Sequence, residues 1–376
     1  MKRVGVIGGG QLAWMMADAA KKLSVELVIQ TPSQTDPAVA IATQTILAAI
    51  DDSDSTANLA ACCDVITFEN EFVDLDALSE LEKQGVCFRP SLSALKPLLD
   101  KYDQRCYLRD RHLPVPKFFA LEAGSSTRTA EFPIVLKTRR HGYDGQGTFI
   151  LKTAEELAAI LKTLNDQPLL VEEFVPFDRE LAVMAARSLT GEIVVYPVVE
   201  TQQENQVCRR VIAPADLPAS ITVEVETIAR ILLESLQVVG IFGIELFLTH
   251  EGKVLVNEIA PRTHNSGHYT IDACVTSQFE QQLRAVCRLP LGSPALTCDG
   301  AVMVNLLGYE SSESDYLDKR QQLAKIPGAF VHWYSKTESR LGRKLGHVTV
   351  LLEDSSNLRQ RAIEIGHTIE SIWYET

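Results

Sequence analysis

The sequence predicts an α/β chain of two or three domains, the first of them a doubly wound parallel sheet. Three observations point there. Short apolar strands alternate with helical periodicity through the first hundred residues. A glycine cluster, Gly8-Gly9-Gly10, follows the first strand directly and opens a helix. At Pro133 the pattern gives way to glycine loops, hairpins and isolated helices. A chain of 376 residues is also too long for one ordinary core.

In the first domain, strands are expected at Val4–Ile7, Val25–Ile29, Val65–Phe68 and Val86–Arg89, with helices at Gln11–Leu23 and Asp74–Lys83. Pro90 ends this pattern. A helical stretch from Ser91 to Arg111 follows, and Pro114-Val115-Pro116 reads as a linker. Beyond it, strands are expected at Ile134–Lys137, Thr148–Leu151, Leu169–Phe174, Glu180–Ala186 and Ile193–Val199. Helices are expected at Ala154–Leu164 and Ser220–Leu236. A hairpin spans Ile241 to Ile259. The tail offers strands at Val302–Leu306 and His347–Leu352 and a helix at Asn357–Gly366. Domain limits are placed at 1–97, 98–295 and 296–376.

Composition narrows the function classes. The net charge of -13 repels nucleic-acid phosphates and anionic membranes, so neither is expected as a partner. The apolar stretch after Met1-Lys2-Arg3 is too short for a signal peptide, and the run Val238–Ile244 stops at Glu245, far short of a bilayer span. Eight cysteines without a C-x-x-C pair suggest reduced, mostly buried thiols in cytoplasm.

The first glycine cluster fits G-x-G-x-x-A through Ala13, the dinucleotide fingerprint. A nicotinamide cofactor would want an acidic residue at the end of the second strand, where Gln30-Thr31-Pro32 stands. A tight strand-to-helix turn is the better reading. The second cluster is more informative: Lys137 closes an apolar strand, and His141-Gly142-Tyr143-Asp144-Gly145-Gln146-Gly147 follows, ahead of Thr148. Three glycines let backbone approach phosphate oxygens while the lysine supplies charge.

The hairpin carries the strongest signal. A two-residue turn at Glu251-Gly252 pairs Glu245 with Glu258 across the strands. Opposed carboxylates repel, so their coexistence suggests a hard divalent cation such as Mg²⁺ shared with substrate phosphates. Ala260-Pro261-Arg262-Thr263-His264-Asn265-Ser266-Gly267-His268 comes next. Arg262 can fork onto an oxyanion and His264 can move a proton near neutrality. His264 and His268 have H-x-x-x-H spacing, but proline and glycine around them weigh against a shared helix face and hence against zinc. The segment Glu172-Glu173-Phe174-Val175 reads as a strand edge able to hydrogen-bond an adenine.

Taken in order, these motifs resemble the ATP-grasp superfamily, and most closely its N5-carboxyaminoimidazole ribonucleotide synthase branch, the biotin-independent carboxylating ligases of bacterial purine biosynthesis. The likeness runs from Val4-Gly5-Val6-Ile7-Gly8-Gly9-Gly10-Gln11-Leu12 to His332-Trp333-Tyr334, Lys336 and Gly342-Arg343-Lys344-Leu345-Gly346-His347. It implies a Rossmann-like (pre-ATP-grasp) N-terminal domain, a central ATP-grasp α+β domain and a small C-terminal domain. It further implies ATP contacts from Lys101, Lys137, the loop Gly142–Gly147 with Thr148, Glu172–Val175, Glu180, Gln203 and Asn257, with Mg²⁺ on Glu245 and Glu258. Tyr143, Asp144, Lys336 and Arg343 would hold the ribonucleotide phosphate. Arg262, His264 and Asn265 would face the reacting centre. ATP and bicarbonate are the implied co-substrates, without biotin, in a homodimer.

Three competing functions are open at this point. Another ATP-grasp ligase, formate-using or biotin carboxylase-like, shares the ATP site but not the acceptor pocket. A nicotinamide oxidoreductase would use the first glycine turn. A nucleotide sensor would bind ATP without turnover, and the paired glutamates argue against it.

Overall fold

The structure, a computed structural model, describes residues 1–121, 131–140, 147–164, 167–336, 338–353 and 356–375. Three sheets carry it. The first is parallel, with β1 (Lys2–Ile7), β2 (Val25–Thr31), β3 (Gln44–Leu47) and β4 (Val65–Phe68) in the order β3-β2-β1-β4. Alternation along β1 and β2 sorts Val4, Val6, Leu27 and Ile29 to one face and Ile7 and Val28 to the other. The first face is closed partly by Phe279, Leu283 and Val286, from a helix at Gln278–Val286. A distant segment thus completes the N-terminal core.

Some expectations in this region change. Val86–Arg89 makes only one parallel bridge, Ile66 to Phe88, because Pro90 fixes φ and turns the chain away. Gln11–Leu23 divides into Gln11–Trp14 and Ala17–Leu23, where Met16 N–H bonds to Ala13 O in a tightened turn. The stretch Ser91–Arg111 divides at Pro97 into Leu92–Leu95 and Lys101–Asp110. Asp100 restarts the second helix, its carboxylate accepting from the N–H groups of Tyr102 and Asp103.

The second sheet is antiparallel: β5 (Phe118–Leu121), β6 (Ile134–Thr138), β7 (Thr148–Leu151) and β8 (Leu169–Glu173), in the order β5-β8-β6-β7. The third has nine strands: β9 (Phe177–Arg187), β10 (Ile193–Val195), β11 (Val199–Glu204), β12 (Val207–Ala213), β13 (Gly240–Thr249), β14 (Val254–Ala260), β15 (Gly300–Leu307), β16 (Ala329–Trp333) and β17 (Lys344–Leu352). The single strand expected at Ile193–Val199 is broken at Pro197, which has no N–H for the ladder, and β3, β5, β12 and β16 were not foreseen.

The helix Ala219–Leu236 lays Val225, Ile228 and Leu232 on Leu181, Val183, Phe242 and Ile244 of β9 and β13. On the opposite face Ala182, Met184, Ala186 and Ile241 pack with Tyr269 and Ala273, which leaves Glu180, Gly243, Glu245 and Phe247 to the cleft. β12 pairs with β15, so the last strands continue the central sheet, and a helix at Leu358–Tyr374 covers them through Ala362, Ile369 and Trp373. That helix runs well past the expected Gly366. All eight cysteines are free, and only Cys274 and Cys287 are fully buried, so the expectation of mostly buried thiols is corrected: the other six are half-buried. Among the described residues no helix is long and apolar enough to cross a membrane.

Candidate active site

A cleft of about 1650 Å³ lies between the second and third sheets and reaches the first glycine turn. Its floor is the β13–β14 hairpin, whose register sets Glu245 directly opposite Glu258. The turn is not the two-residue one expected. Thr249 N–H bonds to Lys253 O across three residues, His250 to Gly252, with Gly252 at φ 76°. That shifts the pairing by one, Leu246 to Val256, and Asn257 then enters β14 as an extra residue that restores Glu245 to Glu258.

Burial and repulsion from Glu258 together raise the Glu245 carboxyl to about 7. Glu180, on the neighbouring β9, is also raised to about 7, by burial and then by Glu245. Burial pushes Glu258 up too, but Lys101 and Lys137 outweigh it and hold its carboxyl below the usual range. Lys101 Nζ stands 2.9 Å from Glu258 Oε2. An all-oxygen cluster with one member kept charged and two held near neutrality suits a hard divalent cation.

Lys137, Arg105 and Glu172 form a buried group beside this floor. Lys137 Nζ is 2.8 Å from Glu172 Oε2 and donates to Asn257 Oδ1 at 3.1 Å. Arg105 donates to the other Glu172 oxygen, and to Asn257 O at 2.5 Å. Burial pushes the Glu172 carboxyl up, but the two cations bring it down to about 2. Glu172 is therefore an anchor for Lys137. The strand-edge reading is corrected as well: β8 is interior, with Glu172 paired to Phe118 on β5 and to Val135 on β6. Only Phe174 and Val175, beyond the strand end, extend past the paired ladder, and both line the cleft with Glu173.

At the opposite end, Arg262 forks onto Glu71, with Nε and Nη2 each 3.0 Å from a carboxylate oxygen. His264 places Nε2 3.6 Å from Glu245 Oε1 and Nδ1 2.9 Å from Ser266 Oγ. Its backbone is clamped by Gln278, which accepts from His264 N–H at 2.9 Å and donates to His264 O at 2.8 Å. Asn265 and Asn305 exchange amide hydrogen bonds at 2.9 and 2.7 Å. His268 Nδ1 is 3.0 Å from Gln278 Nε2, and His264 and His268 belong to no common cluster of three metal-ligating groups among the described residues. Lys336 Nζ donates to Gln11 Oε1 at 2.9 Å and to Lys344 O at 2.6 Å, and Arg343 donates to Glu338 O at 2.8 Å.

Gln203, Thr148, Lys336 and Arg343 all line this cleft. Gly147 adopts φ 77° at the end of the second glycine loop, and its carbonyl accepts from Thr138 N–H. Gly142, Tyr143, Asp144, Gly145 and Gln146 lie outside the described residues. The first glycine turn binds no acidic ribose partner: Gln30 is wholly buried and spends its amide on Ala49 O, Asp52 O and Thr56 Oγ1. The turn instead wraps a carboxylate of its own, since a Cβ on Gly10 would meet Glu69 Oε1 at 2.5 Å.

Sequence reasoning missed Arg105, Glu71, Gln278 and Asn305. Only Glu71 left a signal, because it follows the carboxyl end of a parallel strand, where doubly wound sheets place ligands. The other three act across long sequence separations.

The comparisons with known proteins agree with this geometry. A ribonucleotide synthetase preATP-grasp domain matches residues 1–97, an ATP-grasp domain residues 106–279, and a phosphoribosylaminoimidazole carboxylase C-terminal domain residues 301–361. The chain is 56% identical to the N5-carboxyaminoimidazole ribonucleotide synthase of Synechococcus elongatus, over 99% of this chain and 96% of that one. Its fold is similar to that of an N5-carboxyaminoimidazole ribonucleotide synthetase solved with ADP, with a TM-score of 0.90, 34% identity and coverage of 99% and 97%. The Aspergillus clavatus synthase solved with ADP and 5-aminoimidazole ribonucleotide gives a TM-score of 0.88 at 31% identity, covering 98% of this chain and 99% of that one. The chain belongs to the N5-carboxyaminoimidazole ribonucleotide synthases, a family of ATP-grasp ligases.

Proposed function

We propose that the cleft carboxylates the exocyclic amine of 5-aminoimidazole ribonucleotide, consuming ATP and bicarbonate and releasing ADP and phosphate. The observation that carries this reading is the Glu245–Glu258 pair set beneath Lys101 and Lys137. Those lysines neutralise charge on the terminal phosphates while bicarbonate oxygen attacks the γ-phosphorus and the bond to ADP breaks. Mg²⁺, held by Glu245 and Glu258 with Asn257 and Glu180 alongside, would supply further charge neutralisation at those oxygens. The amine nitrogen then bonds to the activated carboxyl carbon, phosphate leaves, and the nitrogen sheds a proton. Arg262, oriented by Glu71, stabilises the carboxylate, and His264 Nε2 takes or relays the proton. Asn265, fixed by Asn305, positions the acceptor.

Phe174 and Val175 receive the adenine, with Gln203 nearby. Lys336 and Arg343 take the ribonucleotide phosphate, together with Tyr143 and Asp144. Biotin has no part in this scheme. We further propose domain limits of 1–97, 98–295 and 296–376, a homodimer joined through N-terminal halves, and a cytoplasmic location.

The test is ADP release measured with ATP, Mg²⁺ and bicarbonate. Release is expected to depend on 5-aminoimidazole ribonucleotide. Release with formate and glycinamide ribonucleotide instead would overturn the assignment.

A further inference from the structure

β14 presents two neighbouring residues to the cleft where a regular strand would present one. Val256 and Ile259 pack into the core beneath the helix Ala219–Leu236, while Asn257 and Glu258, between them, both line the cleft. Strict alternation would send Asn257 and Glu258 to opposite faces. The bulge at Asn257 re-aims them, so an amide stands beside the carboxylate. Asn257 Oδ1 accepts from Lys137 Nζ at 3.1 Å, and Asn257 Nδ2 donates to Glu245 Oε2 at 3.5 Å. The amide thereby links the phosphate lysine to the acidic pair.

A bulge in an outermost strand has to be held from outside the ladder. β14 ends the third sheet, with β13 as its one neighbour in the strand order. Its outer side is met by the helix Lys101–Asp110 and the segment that follows. Val256 N–H donates to Pro114 O at 2.8 Å. Arg105 Nη2 donates to Asn257 O at 2.5 Å, while its Nε holds Glu172. Gln104 takes both backbone groups of Ile259: its Oε1 accepts from the N–H at 2.9 Å and its Nε2 donates to the carbonyl at 3.2 Å. Gln104 and Arg105 are 3% and 2% exposed, so loss of either leaves buried backbone groups unsatisfied. Their bonds bracket Glu258 on both sides, and the Glu258 carboxylate meets Lys101 from the same helix.

We infer that Gln104 and Arg105 are positioning residues for the divalent cation, acting through the backbone of β14 to keep Asn257 and Glu258 on one face. The inference rests on the proposed metal floor. Glu258 supplies the charge, and the two buried side chains fix the direction in which it points. Partners that orient a ligating carboxylate govern affinity nearly as strongly as the ligand itself.

The test measures Mn²⁺ binding to full-length protein by electron paramagnetic resonance, with ADP present and no ribonucleotide. Mn²⁺ shares the preference of Mg²⁺ for oxygen ligands. Gln104→Met is nearly isosteric. Arg105→Lys keeps the charge opposite Glu172 but has one nitrogen for two acceptors. Each is expected to weaken Mn²⁺ binding roughly 10- to 100-fold. In turnover, each should raise the Mg²⁺ concentration needed for half-maximal ADP release and leave the KM for the ribonucleotide nearly unchanged. Leu108→Ala, in the core face of the same helix, is the control: it should lower the melting temperature and keep Mn²⁺ affinity. A parent that binds Mn²⁺ together with either variant binding it equally well would overturn the inference alone, as would an equal loss in Leu108→Ala. A parent that binds no Mn²⁺ with ADP would overturn the metal floor and the inference with it.

Discussion

Glu245 shows how a single side chain can be set against its own fold. Its carboxyl is raised to about 7 by burial and by Glu258, so the metal-free protein holds a proton there that the unfolded chain would release near 4.5. The native state thus binds more protons between these values, and this group's contribution to stability falls as pH rises from about 4.5 to about 7. Glu245→Gln removes the repulsion. In chelator at pH ~8 the variant should be more stable than the parent by on the order of 1–3 kcal/mol, with the advantage shrinking by pH ~6. Denaturant melts at the two pH values check this; an advantage that grows on acidification would contradict it. The same substitution should abolish Mg²⁺-dependent ADP release. In the parent, apparent Mg²⁺ affinity should weaken as pH falls below about 7, by up to about tenfold per unit for one competing proton.

At the scale of elements, the cleft lysines are only as well placed as the segments that present them. Lys101 opens a helix whose start is fixed by Asp100, and Asp100 is also gripped by Arg139 Nε at 2.8 and 2.9 Å. Asp100→Ala should cost roughly 1–2 kcal/mol through loss of the cap. It should also raise the KM for ATP, because the first turn carrying Lys101 frays. Thermal melts and ATP saturation curves, run together, test both halves; an unchanged KM would detach Lys101 from the phosphates. That helix was legible in the sequence, but its division at Pro97 was underused. The hairpin is more instructive. Glu245 opposite Glu258 was expected from a two-residue turn, yet the turn has three residues and Asn257 bulges to compensate. A bulge without glycine leaves little trace in sequence, and here it is set by tertiary bonds from Arg105 and Lys137. The interior position of β8 was equally hidden, because which strands flank a given strand depends on long-range order. The first glycine turn, the lysine strand and the acidic hairpin were readable because each carries its signal within one short stretch of sequence.

For the whole molecule, the decisive feature is that one cleft draws on all three parts of the chain. Gln11 comes from the first sheet's turn, Lys101 and Glu258 from the centre, and Lys336 and Arg343 from the tail, whose strands join the central sheet through β12 and β15. Lys336 is the tie: its ammonium bridges Gln11 Oε1 and the Lys344 carbonyl. A charge-assisted contact to a phosphate is worth about 1.5–3 kcal/mol, which converts to roughly 10- to 150-fold in affinity. Lys336→Ala should therefore raise the KM for the ribonucleotide within that range. The KM for ATP should change little, since Lys101, Lys137 and the glutamate floor are untouched. Steady-state ADP release, with each substrate varied in turn, separates the two. A loss shared equally between ATP and the ribonucleotide would instead mark Lys336 as a strut between the first sheet and the tail. A loss confined to the ribonucleotide would place the acceptor phosphate where those two parts meet, so that neither the N-terminal nor the C-terminal segment could be exchanged without changing what the ligase accepts.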